Sequence, residues 1–186
     1  LENGIGNFTS ENLISIGDTF PDFQLPNSNG EMFLLSDYLK NGPIVLFFYR
    51  GSWCPYCNLT LKTYQEYLEG IQVLGANLVA ISPEYPEKAQ ETRTKEGLKF
   101  EVLTDENNKL ASSLGLLFDM GEEVGKTMQG LDIDISDHYG KEHKNVVPVP
   151  GLFIIDKHQK VRFSFINANY RERVEPDIIV EQLKAL

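Results

Sequence analysis

Phe-Phe-Tyr-Arg-Gly-Ser-Trp-Cys-Pro-Tyr-Cys, residues 47–57, is the stretch that holds both cysteines of the 186-residue chain. An uninterrupted apolar run, residues 44–49, leads into it, and a polar, amphipathic run, residues 58–70, follows it. The first run is typical of a strand buried on both faces, and the second has helical spacing. Cys54 and Cys57 are therefore predicted to lie where a strand ends and a helix begins.

This position favours an ionised thiol at Cys54. The first turn of a helix has unpaired N–H groups and the positive end of the helix dipole, and both stabilise an anion. A cysteine pKa of about 8.5 can fall there to between about 3.5 and 7.5. Pro55 suits the same turn because its missing N–H would have no partner. We predict that Cys54 is a nucleophile and that Cys57, one turn further on, is its partner.

The cysteine pair has two other interpretations. Cysteines are often small buried hydrophobic residues without chemistry. With His138 and His143 the pair could also supply four zinc ligands, but about 80 residues separate the two halves, and compact zinc sites keep them close. Both histidines fall in a long irregular segment, where solvated side chains are expected.

The composition narrows the class of protein. The length fits one domain with a sizeable core, and 41% of the residues are hydrophobic without a run long enough to span a membrane. The net charge of −10 argues against nucleic acid and acidic membranes as partners. Two cysteines are too few for a disulfide scaffold. We expect a soluble, cytoplasmic protein, although a chain that begins at Leu1 allows a targeting segment to have been removed.

The remaining pattern predicts an α/β sheet. Residues 44–49 and 77–82 read as buried strands joined by a helix, which makes them parallel with a right-handed crossover. Further strands are expected at 24–26, 31–34, 100–103, 151–156 and, alternating and antiparallel, 161–166. Further helices are expected over 86–96, 108–114 and 176–186.

The domain boundaries follow from the less regular parts. Residues 1–15 are polar and without a sustained period, which predicts a loose lead-in. Residues 16–186 are expected to form one domain. Within it, residues 116–145 are predicted to be an insertion over one edge, with a helix over 122–129.

This order of elements resembles the thioredoxin fold, an α/β fold with a central mixed sheet flanked by helices. Several strings sharpen the likeness: the chain resembles the peroxiredoxins, or alkyl hydroperoxide reductase/thiol-specific antioxidant (AhpC/TSA) family, over residues 16–186. The strings lie at 22–25, 35–38, 45–49, 50–57, 148–156 and 169–173. The tetrapeptide at 54–57 alone is also similar to a glutaredoxin active site.

The chain departs from the family pattern at two places. Peroxiredoxins carry a Thr or Ser three residues before the attacking cysteine, where this chain has Gly51. They also carry an Arg before the late strand, where this chain has Pro150. Pro150 instead resembles the cis-proline that faces the cysteines of thioredoxins, so we expect a cis bond between Val149 and Pro150, lying against Cys54.

The resemblance implies a thiol-dependent peroxidase without metal or other cofactor. Cys54 would attack a small hydroperoxide and become a sulfenic acid, Cys57 would condense with it, and a thioredoxin-like or low-molecular-weight thiol would reduce the disulfide. Arg50 would lower the pKa of Cys54, Ser52 would donate a hydrogen bond to the thiolate, and Trp53 would shield the sulfur. Arg171 and Arg173 are expected to be surface charges, and a homodimer is expected.

Two other functions are open. A thioredoxin- or glutaredoxin-like disulfide oxidoreductase would use the same cysteines on a disulfide substrate. A non-enzymatic interaction module would use the fold as a scaffold, although the intact Cys-x-x-Cys motif argues against it.

Overall fold

The computed structural model describes residues 13–131, 133–139 and 145–186. Nine strands occur in these residues, and they agree with the predicted strands to within a residue or two, apart from two short additions, β6 and β7. Their bounds are β1 Gln24–Pro26, β2 Met32–Leu34, β3 Ile44–Phe48, β4 Asn77–Ser82, β5 Glu101–Thr104, β6 Leu117–Asp119, β7 Val146–Pro148, β8 Gly151–Ile155 and β9 Val161–Ile166.

Eight α-helices occur in the described residues, with short 3₁₀ turns at Leu39–Asn41 and Glu106–Asn108. The predicted helix over 122–129 is confirmed as part of α6. The helix bounds are α1 Leu35–Tyr38, α2 Pro55–Glu66, α3 Leu68–Val73, α4 Pro86–Lys95, α5 Lys109–Ser113, α6 Gly121–Gln129, α7 Ser136–Tyr139 and α8 Pro176–Lys184.

A five-stranded mixed sheet forms the centre of the molecule, in the order β5-β4-β3-β8-β9. The predicted parallel pairing of β3 with β4 is confirmed, and β5 continues it. On the other side, β8 runs antiparallel to β3, and β9 runs antiparallel to β8. The α/β thioredoxin-like class is therefore confirmed.

The middle strand β3 is buried on both faces, and its alternate side chains enter two different cores. Val45 and Phe47 face a core that α2, α3, α4 and α8 cover. Ile44, Leu46 and Phe48 face a second core beneath the β1–β2 hairpin, α1 and α5. Both faces need apolar side chains, and this explains why the sequence shows no alternation here.

The segment predicted as an insertion adds a third, smaller apolar cluster. Its strand β6 pairs antiparallel with β7. Phe118, Ile135 and Tyr139 pack there with Val147, and Trp53 of the cysteine loop packs against the same cluster. The segment therefore lies beside the cysteines. The division between a lead-in and one domain stays a prediction.

No helix in the described part of the chain is long and apolar enough to cross a membrane.

Gly42 lies in the turn before β3, and Gly75 lies in the turn before the neighbouring strand β4. These two turns approach each other closely. The φ of Gly42 is +142°, and a Cβ at this position would lie 2.1 Å from the carbonyl oxygen of Gly75. We predict that Gly42→Ala destabilises the fold by about 3 kcal/mol or more, because backbone strain and a backbone clash add together. Urea unfolding followed by circular dichroism measures the effect.

Gly30→Ala is the matched control. Gly30 also has a positive φ, +82°, but a Cβ there meets nothing within 4 Å. Its cost should be only the backbone term, about 1–2 kcal/mol. Equal losses in the two variants would contradict the proposed close approach.

Candidate active site

Cys54 is the residue that immediately precedes helix α2. Its backbone is extended, with φ −94° and ψ 109°, and Pro55 occupies the first helical position. The carbonyl of Cys54 accepts the first helical hydrogen bonds, at 3.0 Å from the N–H of Cys57 and 3.1 Å from that of Asn58. The predicted strand-to-helix position of both cysteines is confirmed.

Both thiols are free and buried, with 3% of Cys54 and none of Cys57 exposed. A hydrogen bond from the Cys57 thiol lowers the pKa of Cys54 from 9.0 to about 6. Burial opposes this shift, whereas the N–H of Cys57 and the charges of Arg50 and Arg173 support it. The lowered pKa of Cys54 favours its thiolate form at neutral pH.

Cys57 behaves in the opposite way. Burial raises the pKa of Cys57 well above its ordinary value, and the hydrogen bond to Cys54 and the charge there act in the same direction. One thiol of the pair is therefore prepared to attack, and the other stays protonated beside it as a hydrogen-bond donor.

Arg50 is 5% exposed and lies between two aromatic rings. Its guanidinium carbon is 4.5 Å from the ring centroid of Tyr170 and 5.4 Å from that of Phe118. Its Nε is buried without a hydrogen-bond partner. The guanidinium therefore has capacity left for an anion, and its charge acts on Cys54.

Two further arginines lie near the pair. An Nη of Arg173 is 3.7 Å from Sγ of Cys57, so the expectation of a plain surface charge is wrong for this residue. Arg171 is exposed, as expected, and its guanidinium carbon lies 5.6 Å from the Tyr170 ring centroid. The sequence pattern does not reveal this contact of Arg173, because its partner Cys57 is 116 residues away.

The hydroxyl of Ser52 is hydrogen-bonded to a buried carboxylate. Its hydroxyl donates to Oε1 of Glu84 at 2.6 Å, so its single proton does not serve the thiolate as expected. The same Oε1 lies 2.7 Å from Nδ1 of His138. Glu84 is fully buried, and only 18% of the His138 side chain is exposed, which corrects the expectation that this histidine is solvated.

Trp53 fastens the cysteine loop to the neighbouring segment. Its indole N–H donates to the hydroxyl of Tyr139 at 2.6 Å, and that hydroxyl donates to the carbonyl of Arg50. Gly51 fits beneath the indole with φ +143°, where a Cβ would lie 2.7 Å from Nε1 of Trp53 and 3.0 Å from Cδ of Glu84. The loop has no room for the Thr or Ser of the usual pattern.

Pro150 does not match its predicted geometry. The described residues contain no cis peptide bond, so the expected cis bond after Val149 is wrong. The chain passes directly from β7 into β8, and the N–H of Val149 donates to Leu116 at 2.7 Å. A trans bond gives the longer Cα–Cα span that this extended path needs. Pro150 is buried in a recess that Tyr64 and Arg173 also line.

The zinc interpretation finds no support at His138, which is engaged with Glu84. Across residues 13–131, 133–139 and 145–186, no cluster of three or more potential metal ligands occurs. His143 lies outside the described residues.

The acidic thiol should be Cys54, and its pKa should depend on Cys57. We predict a thiolate titration near pH 6 in the reduced protein, measured by ultraviolet absorbance. The titration should vanish in Cys54→Ser. It should move to higher pH in Cys57→Ala, because the largest stabilising hydrogen bond is then lost. In Cys57→Ser, a hydroxyl donor remains and the shift should be smaller. An acidic titration that survives in Cys54→Ser would refute the assignment.

Several known peroxiredoxins are similar to this chain. Peroxiredoxin Bcp of Bacillus subtilis is 32% identical over 119 residues, which cover 64% of this chain and 74% of that protein. Peroxiredoxin Bcp of Escherichia coli is 29% identical over 122 residues, covering 64% and 76%. The crystal structure of peroxidoxin BcpB from Mycobacterium tuberculosis has a TM-score of 0.71 at 21% identity, covering 93% of this chain and 98% of that one, and so shares the fold.

A family model matches most of the chain. It is that of the AhpC/TSA family, and it matches residues 16–164, a range that contains both cysteines, Arg50, Trp53 and Pro150. The strand-to-helix position of the cysteines, the central mixed sheet and the relatives lead to one assignment. The chain belongs to the AhpC/TSA family.

Proposed function

We propose that the chain is a thiol peroxidase in which Cys54 reduces a small hydroperoxide and Cys57 resolves the product. One observation carries the proposal: Cys54 immediately precedes α2, the hydrogen bond from the Cys57 thiol lowers the pKa of Cys54 to about 6, and burial keeps Cys57 protonated. The relatives named peroxiredoxin support an oxidoreductase of this class.

The first step consumes the peroxide. The Cys54 thiolate attacks the outer oxygen of the hydroperoxide, the O–O bond breaks, and the alcohol or water leaves after it takes up a proton. Cys54 becomes a sulfenic acid, and the peroxide gains two electrons. Arg50, with its unpartnered Nε, is placed to stabilise the oxygen that becomes negative as the bond breaks.

The second step forms a disulfide. Cys57 loses its proton and attacks the Cys54 sulfur, and the hydroxyl leaves with that proton as water. An external thiol, thioredoxin-like or of low molecular weight, then reduces the disulfide in two exchange steps. Arg173, in contact with the Cys57 sulfur, favours the thiolate of Cys57 whenever it forms or leaves.

The surroundings of Cys54 favour a small substrate. Only 3% of Cys54 is exposed, and Trp53 packs over the same loop. A peroxide reaches such a sulfur more easily than a folded protein disulfide does. The Thr or Ser of the family pattern is missing, so we expect a rate below that of an efficient peroxiredoxin, since one lost donor typically costs about 10²–10³.

Loss of either cysteine should separate the two steps. After one equivalent of hydrogen peroxide, Cys57→Ser should hold a sulfenic acid on Cys54 that dimedone labels, and mass spectrometry should locate the label. The wild type should give a disulfide without label, and Cys54→Ser should consume peroxide no faster than a free thiol. A label on Cys57 in the Cys54→Ser variant would reverse the assigned roles.

Arg50 should contribute to the first step. Arg50→Ala should slow Cys54 oxidation by at least about tenfold, equivalent to about 1.4 kcal/mol of barrier, in stopped-flow measurements with hydrogen peroxide. Arg93→Ala is the matched control. Arg93, on α4, donates hydrogen bonds to the carbonyl of Leu98 and the hydroxyl of Ser28 rather than to residues of the cysteine loop. Urea unfolding of both variants shows whether the fold persists.

The same measurement tests the proposed function. If the reduced wild type consumes peroxide no faster than a free thiol at equal thiolate concentration, yet readily reduces insulin or glutathione mixed disulfides, the disulfide oxidoreductase is the better assignment.

A further inference from the structure

Three of the five arginines in the sequence are linked to the cysteine segment: the charges of Arg50 and Arg173 act on Cys54, and Arg171 lies against the ring of Tyr56. The ion pairs found in the described residues involve none of them. The chain carries a net charge of −10, and the neighbouring carboxylate of Glu172 accepts from Asn169 rather than forming an ion pair with these arginines. A cluster of positive charge without carboxylate partners points to an anionic ligand at this site.

Arg171 lies against two aromatic rings, and one of them belongs to Tyr56, between the two cysteines in the sequence. Its guanidinium carbon lies 5.6 Å from the centroid of Tyr170 and 6.0 Å from that of Tyr56. The two rings meet edge to face at 5.6 Å. Tyr56 is 41% exposed and follows Cys54 by two residues. We call these three side chains the arginine rim. Arg171 also donates a hydrogen bond to the Tyr170 side chain. These contacts orient the guanidinium, and its other N–H groups are able to bind a carboxylate.

Tyr170 connects the rim to the buried charge. The same ring lies 4.5 Å from the guanidinium carbon of Arg50, which is 5% exposed. Tyr170 therefore contacts both the exposed Arg171 and the buried Arg50, whose charge acts on Cys54. An anion that meets the rim is attracted further inward.

The charge at this site depends on the redox state. In the reduced protein the Cys54 thiolate balances part of the positive charge of Arg50 and Arg173. A Cys54–Cys57 disulfide carries no charge, so the same arginines then lack this anion. The site attracts anions most strongly when it is oxidised, and this is the state that the reductant meets.

We propose that the reductant of this disulfide is a low-molecular-weight thiol that carries a carboxylate, with the carboxylate bound to Arg171. The inference rests on the proposed peroxidase function and names the partner of the same site. Its small size follows from the burial of both sulfurs, of which only Cys54 shows any exposed surface.

The reduction balances as two thiol–disulfide exchanges. The thiolate of the first reductant molecule attacks Sγ of Cys54, the Cys54–Cys57 bond breaks, and Cys57 leaves as a thiolate that takes up a proton. A second reductant thiolate attacks the reductant sulfur of the mixed disulfide. Cys54 leaves as a thiolate, and the two reductant molecules depart as their own disulfide after giving up two electrons.

The test compares three thiols that differ in charge. Oxidised wild type and Arg171→Gln are reduced by 3-mercaptopropionate, 2-mercaptoethanol or cysteamine at equal thiolate concentration and low ionic strength, followed by tryptophan fluorescence. The measured quantity is the wild-type rate divided by the variant rate for each thiol, because this ratio cancels the intrinsic reactivity of the thiol.

We expect the ratio to be about two to five for 3-mercaptopropionate, the range of an exposed ion pair, and near one for the neutral thiol. For cysteamine it should be one or lower. Added salt should reduce the preference. Arg171→Lys should retain part of it. Lys157→Gln removes the same charge at the opposite end of the sheet, where the exposed Lys157 lines a recess with Pro43, and should give a ratio near one for all three thiols.

Equal ratios for the three thiols would overturn the proposal. So would fast reduction by a bacterial thioredoxin that does not change in Arg171→Gln, combined with slow reduction by every small thiol, because the partner would then be a protein. Peroxide consumption by the reduced protein is measured separately. Its failure would refute the peroxidase, whereas a failed thiol preference with normal peroxide consumption refutes only the carboxylate site.

Discussion

The hydrogen bond from the Cys57 thiol to the Cys54 sulfur is the interaction on which this site depends. A thiolate that is 97% removed from water would be costly without donors around it, and burial alone would raise its pKa. The Cys57 thiol, its N–H and two arginines reverse that effect. The two hydrogen bonds from Cys57 require both cysteines to lie at the start of one helix, directly after the central strand β3, and the two arginines act through their charge.

The loop before that helix is fixed from several distant parts of the chain. Glu84 follows β4 and accepts from Ser52, while His138 and Tyr139 of α7 contact Glu84, Trp53 and the carbonyl of Arg50. Glu84 is a buried carboxylate whose second oxygen has no partner, so the arrangement is costly in free energy. The arrangement fixes the position of the cysteine loop, because α7 packs beside the cysteines and holds the loop that presents Cys54.

Local pattern was sufficient for the sheet and for the cysteines. The apolar run over 44–49 predicts a buried strand, and the proline after Cys54 with the helical spacing beyond it predicts the start of a helix. Both signals depend only on residues that are neighbours in the sequence. Arg173, His138 and Glu84 could not be placed in the same way. Their partners lie 116, 54 and 32 residues away, and no spacing rule connects them. The expected cis bond before Pro150 is absent because the connection from β7 to β8 does not follow the thioredoxin pattern from which the expectation came.

The position of both cysteines in one helical turn also affects how the protein withstands excess oxidant. A sulfenic acid on Cys54 can either form a disulfide or be oxidised again to a sulfinic acid, which thiols do not reverse. The competing partner for the first route already lies within hydrogen-bonding distance on the same turn, so α2 need not unwind before the disulfide closes. For overoxidation, a second peroxide molecule must therefore reach Cys54 before Cys57 closes the disulfide. Disulfide formation therefore competes with overoxidation, and the contact between the two cysteines at the start of α2 favours the disulfide.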